Sequence, residues 1–473
     1  MKTRINLFCF LLFYISFIPV NAKVKLPDII DNNMILQRNS EINLWGQTSP
    51  DNKIKIKVSW NNKRYSTTSD AKGNFLIKVP TTEAGGPYKI TIDDGDRTIL
   101  ENILLGDVWL CSGQSNMEVP VKGYPGQPNR SCQKYIVKAR PDVPIRLFTV
   151  KRQASTSVMD TCNGTWQQNT SSAVANFSAV AYYFGINLNE ILNIPIGLIN
   201  SSVGGSSIEA WSKLENIKGY VTMPTNYTDI NYKIKSKTRF PTGLYNGMLY
   251  PLKNVKFKGM IWYQGEANRS RYSTYAEQFE KFITQMRELF NNDQFPIYFA
   301  QIAPYHYDTP MVGVYIREQQ LKCSSKFKHV AMATLTDIGE EYCIHPRYKH
   351  EVSDRLSYLA LADTYMKTGF DYRSPEFDSY EIKGNKIILS FKYVSNGIFL
   401  KNGNSNLFEI AGPEHKFYPA KIRLINYKRK IEVYSDKVPH PLAVRYAFHN
   451  WVKGDIFGNS GLPLSSFRTD DWE

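Results

Sequence analysis

The sequence is poor in the residues that build metal sites and disulfide frameworks. It has seven histidines and six cysteines among 473 residues, with no Cys-x-x-Cys pair and no clustered histidines. Structural zinc sites depend on such spacings, so the sequence predicts no metal site, and no cofactor is expected. Cys9 lies in an apolar leader, and the other cysteines form an odd, widely spread set that is no disulfide scaffold, namely Cys111, Cys132, Cys162, Cys323 and Cys343.

Long apolar runs are absent except at the N-terminus. Lys2 and Arg4 precede an apolar run over residues 7–20, and Ala22 stands at a small-residue cleavage position. This order predicts a signal peptide over residues 1–22 and a secreted or periplasmic location. No other run approaches about 18 apolar residues, so no membrane span is expected after the signal is removed.

Clustered charge is also missing. The formal net charge is +15, but the lysines and arginines are scattered along the chain and form no nucleic-acid motif. Nucleic acid is therefore not expected as a partner. The positive charge instead favours anionic glycans or membrane surfaces. The oligomeric state stays open.

Three regions differ in their apolar spacing, and a chain of 473 residues is too long for one core. Residues 23–105 predict an N-terminal β-sandwich domain, with strands at 41–45, 53–58, 75–79 and 88–92. Residues 106–373 alternate strands with helices. Residues 374–473, which begin at Ser374-Pro375, return to β spacing and predict a C-terminal β-rich domain.

The central region has the pattern of an α/β protein. Apolar runs predict strands at 108–111, 145–150, 196–200, 259–263, 297–302 and 330–335. Helical spacing predicts helices at 177–192, 272–290 and 349–367. This alternation is typical of a doubly wound, mostly parallel sheet, in which the chemistry lies at the carboxyl ends of the strands.

A Gly-Gln-Ser-Asn turn follows the first of these strands and exposes one serine, Ser115. Met117 occupies the position of the second glycine in a Gly-x-Ser-x-Gly elbow, so an ordinary α/β-hydrolase is disfavoured. A serine at such a position is also a common helix N-cap, so the turn alone does not establish a nucleophile.

Small or polar residues follow three further strands. Gly204 and Gly205 lie in the loop 201–207, which is also consistent with an ordinary turn. The segment 262–268 places a glutamine and a glutamate at a strand end, where they indicate either a site or the cap of the next helix. His345 follows the last strand, and its combination with a candidate serine favours a catalytic base over a surface histidine.

Together these segments resemble a known family. The motifs are Gly113-Gln114-Ser115-Asn116-Met117-Glu118, Val203-Gly204-Gly205-Ser206, Trp262-Tyr263-Gln264-Gly265-Glu266-Ala267-Asn268 and Ile344-His345-Pro346-Arg347. They are similar to those of the sialate O-acetylesterase branch of the SGNH hydrolases. Further similar segments extend the resemblance over nearly the whole mature chain, at 34–38, 106–109, 245–248, 443–446, 461–463 and 467–470.

The resemblance implies the main catalytic roles. Ser115 is expected to be the nucleophile and His345 the general base that takes its proton. The oxyanion is expected to be held by the backbone N–H of Ser115, that of Gly204 or Gly205, and a side-chain amide. The amide is that of Gln264, with that of Asn268 as the second choice.

The resemblance also implies substrate contacts. Gln114, Glu266 and Arg347 are expected to bind substrate, with the guanidinium of Arg347 gripping the carboxylate of an anionic sugar. A solvated arginine at the start of a helix is the alternative for Arg347.

One position departs from the SGNH pattern. These enzymes usually carry Asp two or three residues before the histidine, where this chain has Tyr342 and Cys343. Asp337 is preferred as the residue that orients the imidazole, because it follows the strand directly. Glu340, Glu341 or a backbone carbonyl, the last leaving a Ser-His dyad, are the alternatives.

The predicted function is removal of O-acetyl groups from carbohydrate by an exported serine esterase, with sialic acid as the favoured acceptor. An acetylesterase for xylan or another polysaccharide is the alternative within the same class. A glycan-binding protein with a degenerate site is favoured by the missing acid and opposed by the presence of Ser115 and His345. A metal-dependent deacetylase needs a cluster of His and Asp ligands that the sequence does not show.

Overall fold

The computed structural model describes residues 23–226, 228, 229 and 233–472. The predicted signal peptide, residues 1–22, lies outside this part of the chain. Within the described residues, no helix combines the length and the apolarity that crossing a bilayer requires. The five cysteines after residue 22 all carry free thiols.

The N-terminal region is built from strands, and the four predicted ones are present as β2, β3, β5 and β6 in the list below. Lysine and apolar residues alternate in the third strand, so that its apolar side chains are buried and its lysines are exposed. The strands are β1 (Ile35–Gln37), β2 (Glu41–Gln47), β3 (Lys53–Val58), β4 (Arg64–Thr68), β5 (Asn74–Pro80), β6 (Gly85–Asp93) and β7 (Arg97–Gly113).

Strand β7 runs across the predicted boundary between residues 105 and 106. Its first part pairs with β6, and its second part, from Asp107 onward, joins the central sheet. Buried side chains on both sides of the boundary, such as Ile54 and Leu110, belong to one contiguous apolar core. The N-terminal strands therefore extend the central region instead of forming a separate core.

The central region contains the predicted α/β sheet. Its order is β13-β12-β11-β7-β10-β8-β9, and all neighbours are parallel except the edge strand β9. The further strands are β8 (Ile145–Thr149), β9 (Trp166–Gln168), β10 (Ile196–Ser202), β11 (Gly259–Tyr263), β12 (Ile297–Ala300) and β13 (Val330–Ala333). The six predicted strands are confirmed.

Helices cover both faces of this sheet. They are α1 (Ser115–Glu118), α2 (Cys132–Lys138), α3 (Ser171–Asn176), α4 (Ala179–Leu192), α5 (Leu214–Ile217), α6 (Tyr275–Leu289), α7 (Val312–Cys323) and α8 (Lys349–Asp363). Ile261 packs in one core with α4 and α8, whereas its neighbour Trp262 packs in the other with α6. The sheet is therefore doubly wound, as predicted. Shorter helical segments are Ile208–Trp211, Tyr245–Leu249, Tyr250–Leu252 and Glu266–Thr274.

The C-terminal region is β-rich, as predicted, and has its own apolar core. It contains two four-stranded sheets, β14-β15-β20-β19 and β18-β17-β21-β23, and the pair β16-β22. The strands are β14 (Glu376–Lys383), β15 (Lys386–Lys392), β16 (Ile398–Leu400), β17 (Phe408–Ala411), β18 (Phe417–Pro419), β19 (Lys421–Ile425), β20 (Lys430–Tyr434), β21 (Ala443–Tyr446), β22 (Ile456–Gly458) and β23 (Phe467–Arg468).

Gly106 lies in β7 at the junction of the first two regions. A Cβ at this position would lie 2.1 Å from the carbonyl oxygen of Pro195, so an alanine forces the backbone to move. We expect Gly106→Ala to lower the free energy of unfolding by about 1–3 kcal/mol, measured by urea unfolding. The exposed Ser66→Ala in β4 is the control and should change it by less than about 0.5 kcal/mol. Equal stability of the two variants would contradict the tight junction.

Candidate active site

Three strand ends bring the candidate catalytic loops together. Strand β7 lies between β10 and β11, and Gly113 is paired with Ser202 on one side and with Tyr263 on the other. The loops that follow these three residues therefore leave the sheet side by side, at the carboxyl edge of parallel strands. They carry Ser115, Gly204 and Gln264.

The turn before Ser115 requires a glycine. Gly113 has a φ of +142°, and a Cβ there would lie 2.1 Å from the carbonyl oxygen of Tyr263. Helix α1 begins two residues later at Ser115, which is partly exposed, whereas Asn116 and Met117 are buried. The turn therefore leaves the serine partly exposed and keeps the two residues after it buried.

The side-chain amides expected in the oxyanion hole are buried in a hydrogen-bonded network. Gln264 donates through Nε2 to Asn268 Oδ1 at 2.8 Å and to Gln114 Oε1 at 3.3 Å. Asn268 donates through Nδ2 to both carboxylate oxygens of Glu209, at 3.1 and 3.0 Å. Gln264 and Asn268 have no exposed surface, and Gln114 is 3% exposed. These contacts give all three a structural role, which differs from the oxyanion and substrate roles expected from the sequence.

The loop at residues 201–207, which we call the glycine loop, lies against Ser115. A Cβ at Gly204 would lie 3.5 Å from Ser115 Cβ, and the Gly204 N–H donates to Glu118 Oε2 at 2.8 Å. The other oxygen of Glu118 pairs with Arg152 at 2.8 Å. Gly205 has a φ of +72°, and a Cβ there would touch nothing within 4 Å, so this residue borders open space. Within the described chain, the N–H groups of Ser115 and Gly205 have no protein acceptor.

His345 lies in the loop between β13 and α8, residues 334–348, which we call the histidine loop. It is held by the loop that follows α1. Its Nδ1 lies 2.7 Å from Gln127 Oε1, and its ring meets the ring of Tyr124 edge to face. Because an amide oxygen only accepts, Nδ1 carries the proton and Nε2 keeps its lone pair. Burial, with the nearby charge of Lys349, lowers the pKa of His345 to about 4. The imidazole is therefore neutral and able to act as a base at ordinary pH.

Asp337 has a different partner from the one expected. Its two carboxylate oxygens accept from the guanidinium of Arg355 at 2.8 and 2.7 Å. The structure thus brings Gln127, and not Asp337, to the imidazole of His345. A bidentate pair of this kind anchors the start of the loop to α8.

Arg347 also supports the histidine loop. Its Nε donates to Glu340 Oε1 at 2.6 Å, and its backbone N–H donates to Glu340 Oε2 at 3.0 Å. Its side chain is 57% exposed. Both contacts close the loop on itself, so Arg347 is an exposed residue, just before α8, that is paired with Glu340.

Asn116 links the turn at residues 113–116, which we call the serine turn, to the histidine loop. Its Nδ2 donates to the carbonyl oxygen of Ile344 at 3.0 Å and to Glu266 Oε1 at 2.6 Å. Its Oδ1 accepts from Lys349 Nζ. The residue after Ser115 and the residue before His345 are therefore hydrogen bonded to each other.

Two buried titratable groups lie behind this link. Glu266 is 3% exposed and burial raises its pKa, while its Oε2 meets no hydrogen-bond partner in the described residues. Lys349 has no exposed surface, and burial lowers its pKa to about 7. Glu266 was expected to bind substrate, but it lies under the turn and supports Asn116.

The sequence interpretation missed four residues of this site. Asn116 and Glu118 belong to the motif around Ser115. There, polar residues alternate with the apolar residues Met117 and Val119, and this alternation is a signal that could have indicated their role. Gln127 lies in an irregular loop, and nothing in its neighbourhood marks it. In the sequence, Lys349 has the position of an ordinary first residue of a helix. Within the described residues, no group of three or more His, Cys, Asp or Glu is placed to hold a metal ion.

Comparison with known proteins shows the family. Residues 105–353 match the family described as "Carbohydrate esterase, sialic acid-specific acetylesterase". The chain is 26% identical to the sialate O-acetylesterase of Mus musculus over 90% of both chains, and 26% identical to that of Homo sapiens over 90% of this chain and 88% of the human one. The crystal structure of a carbohydrate acetylesterase from Xanthomonas citri is similar, with 31% identity, a TM-score of 0.87, and coverage of 95% of this chain and 100% of that one. The chain belongs to the sialic acid-specific acetylesterase family of carbohydrate esterases.

Proposed function

We propose that Ser115 and His345 form the catalytic dyad of this carbohydrate esterase. The observation that carries the proposal is the hydrogen bond from Asn116 Nδ2 to the carbonyl oxygen of Ile344, because it fixes the serine turn and the histidine loop to each other. The hydrogen bond at Nδ1 leaves Nε2 of His345 as the basic atom. Gln127 takes the place that a carboxylate occupies in a catalytic triad.

The reaction follows from these groups. Ser115 Oγ attacks the acetyl carbonyl carbon while His345 Nε2 takes the hydroxyl proton. The tetrahedral intermediate collapses when the sugar oxygen leaves with that proton, and an acetyl-serine remains. Water then attacks this ester and gives a proton to the same nitrogen, which returns it to Ser115 Oγ as acetate leaves.

We assign the oxyanion to the backbone N–H groups of Ser115 and Gly205. Both are without a protein acceptor in the described chain, and Gly205 borders open space. Gly204 is the less suitable donor because its N–H is bound to the carboxylate of Glu118, whose negative charge opposes a neighbouring oxyanion. One such donor contributes about 3 kcal/mol to the stability of the transition state.

We propose an O-acetylated sialic acid as the substrate. The curated relatives named above are sialate O-acetylesterases, and they match this chain over 90% of its length. An accessible cation suits the carboxylate of such a sugar, and Arg152, whose side chain is 48% exposed, lies beside Glu118 and thus near the serine turn. Acetylated xylan or another neutral polysaccharide is the alternative substrate. A glycan-binding protein with a degenerate site is disfavoured, because both Ser115 and His345 are present.

Export is a further part of the proposal. It rests on the charged and apolar pattern of residues 1–22. Sequencing the N-terminus of the protein recovered outside the cytoplasm should give Lys23 as the first residue. An N-terminus at Met1 would contradict cleavage.

The dyad predicts strong, non-additive losses of activity. Ser115→Ala and His345→Ala should each lower kcat for an aryl acetate by at least about 10³-fold, and the double variant should be hardly worse, because both groups act in one step. Ser112→Ala is the matched control, since Ser112 is buried in β7 and its Oγ has no hydrogen-bond partner. Losses that multiply, or an active Ser115→Ala protein, would exclude the dyad. Assays on acetylated sialic acid and acetylated xylan then decide the substrate.

The contact between Gln127 and His345 predicts an unusual pH dependence of the esterase activity. Because the imidazole must be unprotonated to take the serine proton, and its pKa is lowered to about 4, the acid limb of kcat/KM should lie near pH 4. Gln127→Glu places a carboxylate against Nδ1, which stabilises the imidazolium, raises its pKa and moves the limb up by about 1–3 pH units. Gln133→Glu, an exposed change in α2, is the control. The assignment would be contradicted if the acid limb of the wild-type pH profile lay near the ordinary pKa of histidine and Gln127→Glu did not move it.

Two arginines should respond differently to substrate charge. Arg347→Ala should lower kcat/KM equally for acetylated sialic acid and for a neutral aryl acetate, because Arg347 closes the histidine loop through Glu340. Arg152→Gln should raise KM for acetylated sialic acid by roughly threefold to tenfold and leave the aryl acetate almost unchanged. A selective effect of Arg347→Ala on the anionic substrate would restore it as the carboxylate ligand.

A further inference from the structure

A second cavity lies apart from the serine and histidine loops. Its volume is about 690 Å³, within the range of roughly 300–1,000 Å³ that is usual for small-molecule sites. Its lining residues come from the N-terminal region, between residues 25 and 76, and from the segments 160–163 and 253–254 of the central region. The cavity is thus formed where the N-terminal strands pack against the catalytic region.

One end of the pair β2 and β5 lines this cavity, through residues 45–47 of one strand and 74–76 of the other. Along β2, Ile42 and Leu44 are buried in the core, whereas Trp45 is only partly buried at its edge and Gln47 is exposed. In the antiparallel register, Gln47 stands opposite Asn74, and its Nε2 donates to Asn74 Oδ1 at 2.9 Å. A partly exposed indole and two hydrogen-bonded side-chain amides therefore line this end of the cavity.

Specific contacts hold the opposite wall in place. Asn43 Nδ2 donates to the backbone oxygen of Asn254 at 3.0 Å, and Lys253 Nζ pairs with Asp160 at 3.0 Å. The first contact ties β2 to the central region, and the second ties the segments 160–163 and 253–254 to each other. The shape of the cavity is therefore defined by hydrogen bonds as well as by packing.

The lining chemistry points to a sugar. An indole offers a flat apolar surface to the C–H face of a pyranose, and amide and carboxylate groups around it pair with hydroxyls. The charged lining residues are Lys25, Asp28, Asp70, Asp160 and Lys253, so carboxylates outnumber ammonium groups. Such a lining disfavours an anionic ligand and suits a neutral one.

We propose that this cavity is a second saccharide site, which binds an uncharged oligosaccharide segment without hydrolysing it. The chain belongs to a family of carbohydrate esterases, so a neutral stretch of the same glycan that carries the acetyl ester is a suitable occupant. Binding there tethers a polymeric substrate and raises its effective concentration at the catalytic loops. Hydrolysis of a small aryl acetate needs no such tether.

Calorimetric titration of the complete mature protein with lactose, the neutral part of sialyllactose, and with unacetylated xylotetraose tests the proposal. At least one should bind with a Kd of about 1 mM or tighter, and Trp45→Ala should weaken binding at least about tenfold. Gln47→Ala, an exposed change at the rim, should weaken it several-fold and covers the case in which Trp45→Ala does not fold. Trp60→Ala is the matched control, since Trp60 lies in the same region but does not line the cavity. All four proteins should hydrolyse an aryl acetate equally.

Three results would overturn the proposal. They are no binding of lactose or xylotetraose, unchanged binding by folded Trp45→Ala and Gln47→Ala proteins, and tighter binding of sialyllactose than of lactose. The last result would mean that the cavity selects negative charge. Because the aryl acetate assay is independent of this cavity, failure of the second site and failure of the catalytic assignment are distinguishable.

Discussion

The parallel pairing of β7 with β10 and β11 is the constraint on which the site depends. It sets Gly113, Ser202 and Tyr263 side by side, so the loops that follow all begin at one edge of the sheet. The close approach of Gly113 to the Tyr263 carbonyl then turns the chain sharply and presents Ser115. A change of register between β7 and β10 would separate the serine from the glycine loop, and one between β7 and β11 would move the Tyr263 carbonyl away from Gly113.

Buried polar groups keep these loops in place. Burying an amide or a carboxylate costs free energy unless it is paired, and here Gln264, Asn268 and Glu209 satisfy one another beneath the cleft. The buried amide of Asn116 is likewise paired, and it joins the serine turn to the histidine loop. The polar residues that crowd the family motifs therefore serve mainly to hold the backbone that carries Ser115 and His345, and the cleft itself needs few of them.

The sequence predicted the sheet well and the site only in part. Apolar runs located the six central strands, because buried parallel strands are continuous in hydrophobicity. Helix α7 escaped notice since it buries Arg317 and Gln320, whose hydrogen bonds to backbone groups replace the apolar pattern that marks a helix. The partner of His345 could not be found either, because the contact joins residues far apart in the chain and depends on where the folded loops place Gln127 and Asp337.

The most direct test of the account is the site of covalent labelling by a fluorophosphonate, a reagent that phosphonylates an activated serine. Peptide mass spectrometry of the inactivated protein should find a single adduct on Ser115, formed in proportion to the loss of esterase activity. The His345→Ala protein should label far more slowly, because its serine is no longer activated. Stoichiometric labelling of another residue as activity is lost, or full labelling of Ser115 with activity retained, would contradict the account.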